Sequence, residues 1–434
     1  MDGKPSILPT APGAFGGFLQ SASLETTTCP DSVKPISLRV SACTAVSALG
    51  DGLQAMREAV ASGRSGLTPL GTHDFGGGPL AEPLATWVGR VAGLEQPLPA
   101  RWSHWDCRNN RLAWRGLLAD GFAGQVAAAV QRLGAHRIAL VLGTSTASIG
   151  ATEDACRTFD TTGVFPPQPD NPGLHTLHSL TGFVQEALGL QGPVLTISTA
   201  CSSSAKAFAA AERLIRLGLA DAAVVGGVDS LCGSVLFGFH AMQLVSPEPC
   251  RPFDSRRQGI SLGEAAGFAL LENAPGGLRL LGHGESSDAH HLSAPDPDGA
   301  GAEAALDQAL ARAGLCTTDI GFVHLHGTAT PRNDEVEARL LRRRFAPGTP
   351  ASSTKGMTGH TLGAAGVLGA VFSLLALETG VLPGTAHTGD VAAGMEDFLL
   401  TAPRRQAVRH AVSHAFAFGG SNAVLVFGRA EASA

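Results

Sequence analysis

Five short apolar runs, each flanked by small-residue segments that read as helices, constrain this chain more than anything else in it. They lie at 138–142 (IALVL), 194–198 (VLTIS), 222–225 (AAVV), 320–325 (IGFVHL) and 422–427 (NAVLVF). Runs this short and this apolar suit strands covered on both faces, and their alternation with helical segments reads as βαβ units on a buried, mostly parallel sheet. The stretches 265–272 (AAGFALLE) and 422–428 (NAVLVFG) share a texture of small residues running into an apolar strand. They suit the last strand of each half of a duplicated fold. Gly supplies 55 of the 434 residues, close to double the usual share of about 7%, while only 16% are charged. Backbone packed closely against backbone is the consequence, in a chain whose 44% hydrophobic content can fill a large core.

The bulk properties exclude several functions. A net charge of −6 argues against general binding of nucleic acid, which needs clustered Lys and Arg. The eight Cys are scattered without a C-x-x-C pair, so neither a zinc site nor a disulfide framework is suggested, and reduced thiols in a cytoplasmic protein are the simpler reading. Residues 1–35 lack a basic segment followed by an apolar core and read as a flexible arm rather than a secretory signal. The apolar stretch at 361–377 is 17 residues long with three Gly, short for a membrane span and suited to a buried core helix. The Gly/Pro-rich stretch 66–99 reads as a surface excursion.

Chemistry concentrates in three turns. In 193–218 (PVLTISTACSSSAKAFAAAERLIRLG) an apolar strand gives way to tiny residues and then to apolar positions at helical spacing, with Gly218 as the stop. Cys201 therefore stands at a helix N-terminus, where backbone N–H groups and the helix dipole favour a thiolate. His326 lies in FVHLHGTATPRNDEVE at 322–337, and His360 in SSTKGMTGHTLGAAG at 352–366. Each sits in a Gly/Thr frame at a strand end or helix start, where α/β folds place their chemistry. A thiolate nucleophile with two imidazole donors able to hold an enolate oxygen fits that set. His290 and His291 beside three Asp in 287–299 lack ligand spacing on a regular element, so no metal site is read there.

The ordered motifs TACSSSAKA, GGVDSL, PCRPFD, GEAAG, HGTAT, TKGMTGHTLGAAG and FAFGGSNA between residues 198 and 423 resemble the elongating, decarboxylating β-ketoacyl-acyl carrier protein synthases of the thiolase-fold superfamily. CRNNRLA at 107–113 resembles the aryl polyene and polyketide-like members. The resemblance implies a layered αβαβα fold with two mixed, mainly parallel five-stranded sheets. It implies an N-terminal half, 36–275, carrying Cys201 and a C-terminal half, 276–434, carrying the histidines. It also implies decarboxylative Claisen condensation without metal or cofactor. Cys201 is then the acylated nucleophile, with the N–H groups of Cys201 and Phe418 as oxyanion hole. His326 and His360 stabilise the malonyl-derived enolate, while Lys355, Thr328, Thr330 and Glu337 order the pocket. Phe418 is a gate moving on Gly419 and Gly420 beside Phe416, with 287–299 as its partner loop. The implied partners are acyl- and malonyl-loaded acyl carrier protein and a dimer mate, either a second copy or a paralogous subunit. Arg108, Arg111 and Arg115, spaced along one helix face, are candidates for docking the acidic carrier. One position departs from the pattern: Gly369 stands where the family carries a Glu paired with the lysine, leaving Glu337 or water to replace it. The alternative is a chain-length-factor-like subunit, weakly active or without chemistry, although such subunits typically lose the cysteine.

Overall fold

The structure, a computed structural model, describes residues 37–71, 84–165 and 171–430; the arm assigned to 1–35 lies outside them. Ten strands build the main sheet path: β1 (Leu38–Ser47), β2 (Ile138–Gly143), β3 (Val194–Ile197), β4 (Ala222–Asp229), β5 (Ala265–Glu272), β6 (Leu278–Ser287), β7 (Phe322–His324), β8 (Ala351–Ser352), β9 (His410–Ala417) and β10 (Ser421–Arg429). The order is β8-β7-β9-β10-β6-β1-β5-β4-β2-β3. Adding five to each label of the first set gives the second, so the duplication suggested by the two similar strand sequences is present as a repeated topology. The paired stretches 265–272 and 422–428 are the fifth strand of each set. The sets join where β1 meets β6 antiparallel, at Leu38–Leu280 and Arg39–Arg279.

Within each set two neighbouring pairs are parallel and two antiparallel. The sheets are mixed, with the parallel pairs no more numerous than the antiparallel. The reason is visible between β9 and β10, whose three-residue connection permits only a hairpin.

Side-chain parity sorts the strands into three cores. Ile138, Leu140 and Leu142 of β2 pack outward with α1 (Arg108–Leu118), α2 (Phe122–Leu133) and α3 (Ser179–Leu188). Ala139 and Val141 face inward, onto α4 (Ser203–Arg216) and α7 (Ala365–Thr379). In the second set, Val323, Val412 and Val424 pack outward with α5 (Ala300–Ala313) and α6 (Pro331–Arg344). Period-two alternation on strands covered on both faces thus yields five layers, αβαβα, with α4 and α7 in the middle. Every residue from Gly366 to Leu377 of α7 is buried, so the long apolar stretch is a core helix.

Of the stretch 66–99, residues 72–83 lie outside the described residues, and the remainder is better organised than a surface excursion. Leu67–Pro69 and Trp87–Gly89 pair with each other, and the latter with Leu262–Gly263, in a small three-stranded sheet.

Small residues let these layers close. A Cβ on Gly143, the last residue of β2, would sit 2.3 Å from the Ser204 nitrogen, and one on Gly366 would sit 2.5 Å from the Ala205 nitrogen. Both contacts are with backbone, which cannot rotate away. Gly143→Ala should therefore push the start of α4 off the sheet and destabilise the protein by about 1–3 kcal/mol. Thermal unfolding checks this: an unchanged midpoint contradicts the packing account.

Candidate functional site

Cys201 and His360 hold equivalent places in the two halves, each in the turn between the third strand and the central helix. Ala200 is held at φ 49°, and the hydroxyl of Ser203 donates to the Ala200 carbonyl (2.6 Å) while accepting the Thr199 N–H (2.9 Å). The run of tiny hydroxyl residues thus ties a tight turn that lifts Cys201 to the start of α4. His360 is anchored by its backbone, donating to the Ser261 carbonyl and accepting from Gly263. His326 follows β7 by two residues. Its N–H and that of Gly327 donate to the two oxygens of Glu337 at 2.7 and 2.8 Å, and the Thr328 N–H donates to Asp334 at 3.0 Å.

One donor atom each from Cys201, His326 and His360 lies within 4.8 Å of the others, and all three residues are buried. The two imidazoles meet edge to face, ring centres 5.5 Å apart. Nδ1 of His360 accepts the Leu362 N–H (3.2 Å), and Nδ1 of His326 faces the Lys355 ammonium (3.4 Å). Both Nδ1 atoms thus meet donors, which leaves the hydrogen on Nε2. A metal-binding imidazole has the reverse arrangement, its outer nitrogen donating to a carboxylate or carbonyl. Hydrogen-bond donation into the cavity is what this pair supplies.

Burial pushes both imidazoles well below the ordinary histidine pKa, with the Lys355 charge and, for His326, the neighbouring histidines acting the same way. They are neutral N–H donors across the physiological range. Burial acts oppositely on Cys201, whose pKa is pushed up to about 11. Lys355 and the N–H groups of Phe418 and Cys201 pull it down without overcoming desolvation. Desolvation therefore favours the thiol, against the thiolate that the position at a helix N-terminus suggested. Those two N–H groups lie beside the sulfur, close to where the carbonyl oxygen of an acyl group attached to it would sit.

Lys355 is buried, donates to the His326 carbonyl and has its pKa lowered by burial. Glu337 is its strongest opposing charge but is engaged by two backbone N–H groups and Nδ1 of His414 (2.9 Å). Glu337 supports the His326 turn rather than pairing directly with the lysine. Gly369 is explained by crowding: a Cβ there would meet Ser413 Oγ at 2.5 Å and His324 Nδ1 at 3.0 Å. The His324 ring, stacked on Phe372 and bonded to Thr354 (3.0 Å), fills that space.

The site opens into a cavity of about 440 Å³ lined by Cys201, both histidines, Thr328, Thr330, Phe416 and Phe418, among others. Phe418 rests against Phe239, ring centres 5.6 Å apart. Gly419 and Gly420 take φ 78° and 72°, which a residue with a side chain resists. The loop 287–299 packs on this turn, Asp288 N–H donating to Gly420 and Gly419 N–H to Leu292.

Arg108, Arg111 and Arg115 do not reach the cavity. They bond Glu264 (2.5 Å), Asp106 (2.6 Å) and Asp51 (2.6 Å) respectively, and act as struts. Sequence reasoning also missed Asp229, a fully buried carboxylate accepting from Thr144, Ser145, Thr146 and the Gly363 N–H. It links loops of the first half to the turn carrying His360. An acid closing an otherwise apolar strand, in GGVDSL, was the available signal.

Comparison with known proteins places this geometry. The family description "Beta-ketoacyl synthase, N-terminal domain" matches residues 122–275, and "Beta-ketoacyl synthase, C-terminal domain" matches 279–389. A mitochondrial 3-oxoacyl-[acyl-carrier-protein] synthase of Arabidopsis thaliana is 40% identical over 57% of this chain and 59% of its own length. Nodulation protein E of Rhizobium meliloti is 40% identical over 56% of this chain and 64% of its own length. The chain thus spans less than two thirds of both. Nodulation protein E of Rhizobium leguminosarum bv. trifolii is 36% identical over 68% of this chain and 76% of its own length. Among solved structures, a ketosynthase in complex with its chain length factor from Xenorhabdus doucetiae superposes with TM-score 0.83 at 36% identity, covering 91% of this chain and 98% of that one.

Gly369→Ala tests the crowding beside Lys355. Although Ala favours helices by about 1 kcal/mol over Gly, the contacts with Ser413 and His324 should reverse that gain. The melting temperature should fall; a rise would remove the packing explanation for glycine here.

Proposed function

The chain belongs to the β-ketoacyl synthase family, and we propose that it is an elongating β-ketoacyl-acyl carrier protein synthase, an acyltransferase that lengthens a fatty-acyl or polyene chain by two carbons. The observation that carries this reading is the buried thiol converging with two neutral Nε2–H imidazoles at the end of an apolar-walled cavity. In the first stage the Cys201 sulfur attacks an acyl-carrier thioester. The new C–S bond forms, the carrier sulfur leaves with the cysteine proton, and the N–H groups of Cys201 and Phe418 hold the oxyanion. In the second stage malonyl-carrier enters. His326 and His360 donate to its thioester carbonyl, carbon dioxide departs, and the enolate carbon attacks the acyl group. The C–S bond to Cys201 breaks and the sulfur regains a proton. Lys355 holds His326 in its donor tautomer, Glu337 fixes the His326 turn, Thr328 and Thr330 line the approach, and Phe418 gates it with Phe416 and Gly419.

The intact triad favours this over the chain-length-factor-like alternative. The repeated strand order supports a division near 275/276 between the halves. Exposed apolar residues support a dimer: Leu195 on edge strand β3 is 41% exposed, and Phe159 and Phe165 stack on each other at the surface. The mate is a second copy or a paralogous subunit, in line with the Xenorhabdus neighbour solved with a chain length factor. A reducing cytoplasm keeps Cys201 a thiol.

Cys201→Ala should abolish the acyl adduct that intact mass spectrometry detects after incubation with acyl-carrier protein; an adduct on another cysteine defeats the assignment. His326→Ala and His360→Ala should each slow malonyl decarboxylation by about 10²–10³-fold while sparing self-acylation. Equal loss of both half-reactions contradicts their roles. A thiol with its pKa near 11 gains thiolate as pH rises. Alkylation of Cys201 by iodoacetamide should accordingly climb roughly tenfold per unit across about pH 7–9. A plateau in that range indicates a thiolate already formed.

A further inference from the structure

One stretch of chain runs the length of the cavity wall. From His326 at the reactive end, the segment contributes Thr328, Thr330, Pro331, Arg332 and Asn333 to the cavity lining. Two residues of the segment face the protein instead, Gly327 lying against Ser353 and Phe253, and Ala329 packing beside Cys250 and Leu67. Six residues cover at most about 20 Å, which bounds the distance from His326 to the exposed Arg332 at the start of α6, and the segment forms a track along the cavity between them.

Its outer end carries a charge with nothing yet to do. Arg332 is exposed and is the sole Lys or Arg among the described residues that line the cavity. Nearby cations are committed elsewhere: Arg251 to Glu248, Arg256 to Asp254, Arg257 to Asp334 and Glu335, and Arg339 to Glu335. No ion pair to Arg332 is present among the described residues. Asp288, the acid lining the same cavity, is held by the Asn422 side chain at 2.6 Å and the Asp296 N–H at 3.0 Å.

We propose that Arg332 binds the phosphate of a phosphopantetheine arm while the thioester at the arm's other end reaches Cys201. This rests on the reading of the site as a carrier-dependent synthase. The arm is a flexible amide chain with sulfur at one end and phosphate at the other, matching a track with a thiol at one end and a guanidinium at the other. The threonine hydroxyls between face the arm's polar middle. A guanidinium is suited to the task because its planar donors take two phosphate oxygens at once. Arg332 is a positioning residue: it acts in binding the arm and not on the reacting carbon.

The test reads binding without requiring turnover. Pantetheine and phosphopantetheine are compared for their ability to protect Cys201 from iodoacetamide. In the wild-type protein, phosphopantetheine should protect at about tenfold lower concentration, as a charge-assisted contact provides. Arg332→Ala should erase that advantage and leave protection by pantetheine unchanged, and Arg332→Lys should keep part of it. Coenzyme A and the holo carrier protein present the same phosphate, and each should lose about tenfold in protection on Arg332→Ala. Retention of the phosphate advantage in Arg332→Ala, or equal loss for pantetheine, overturns the proposal. Acyl transfer to Cys201, measured separately, decides the enzymatic reading: a phosphate advantage without acyl transfer condemns that reading alone.

Discussion

The Ser204 hydroxyl accepts the Val367 N–H at 2.9 Å, and beside it Gly366 abuts Ala205 too closely for any side chain. This contact joins α4 to α7, and through them the half that carries Cys201 to the half that carries both imidazoles. Neither half holds a reactive centre alone. Holding groups from different halves within 4.8 Å of one another needs a seam whose residues add almost no thickness. Ser, Ala and Gly on facing turns meet that need, and Asp229 reinforces it by reaching across to Gly363 at 2.6 Å.

Burial at this seam fixes the chemistry by acting on opposite charge types in opposite directions. It holds the imidazoles neutral, as the proposed donation to an enolate requires. It also holds the cysteine protonated, although a nucleophile benefits from being ionised. The Lys355 charge and the two N–H groups at the sulfur are the counterweight. They lower the cost of forming the thiolate, as the proposed attack requires, while leaving a resting thiol.

Much of this was legible in the sequence. Cys201, His326 and His360 stand in turns whose Gly, Ser and Thr residues exist to let backbone approach a substrate, so local pattern and chemistry point the same way. The two halves were legible as similar fifth strands. What escaped was non-local. Arg108 and Arg115 have helical spacing that suggests a charged surface face, but Glu264 and Asp51 lie far off in sequence and only the fold brings them together. The helix N-terminus that favours a thiolate is a local feature, whereas the desolvation that favours the thiol depends on the whole enclosure. The meaning of Gly369 was likewise hidden, since the ring that fills its space belongs to a strand of the second sheet.

The repeated order of strands, with Cys201 in one copy and the histidines in the other, has a consequence for biogenesis. A chain made from its N-terminus presents the cysteine turn well before the segments carrying His326 and His360 exist. Until the second copy docks, that cysteine lacks its enclosure, the Lys355 charge and the Phe418 N–H. The nascent protein therefore carries an ordinary thiol, and the cluster of Cys201 with the two histidines gains its full enclosure only after the strands on either side of the Phe418 turn have been made.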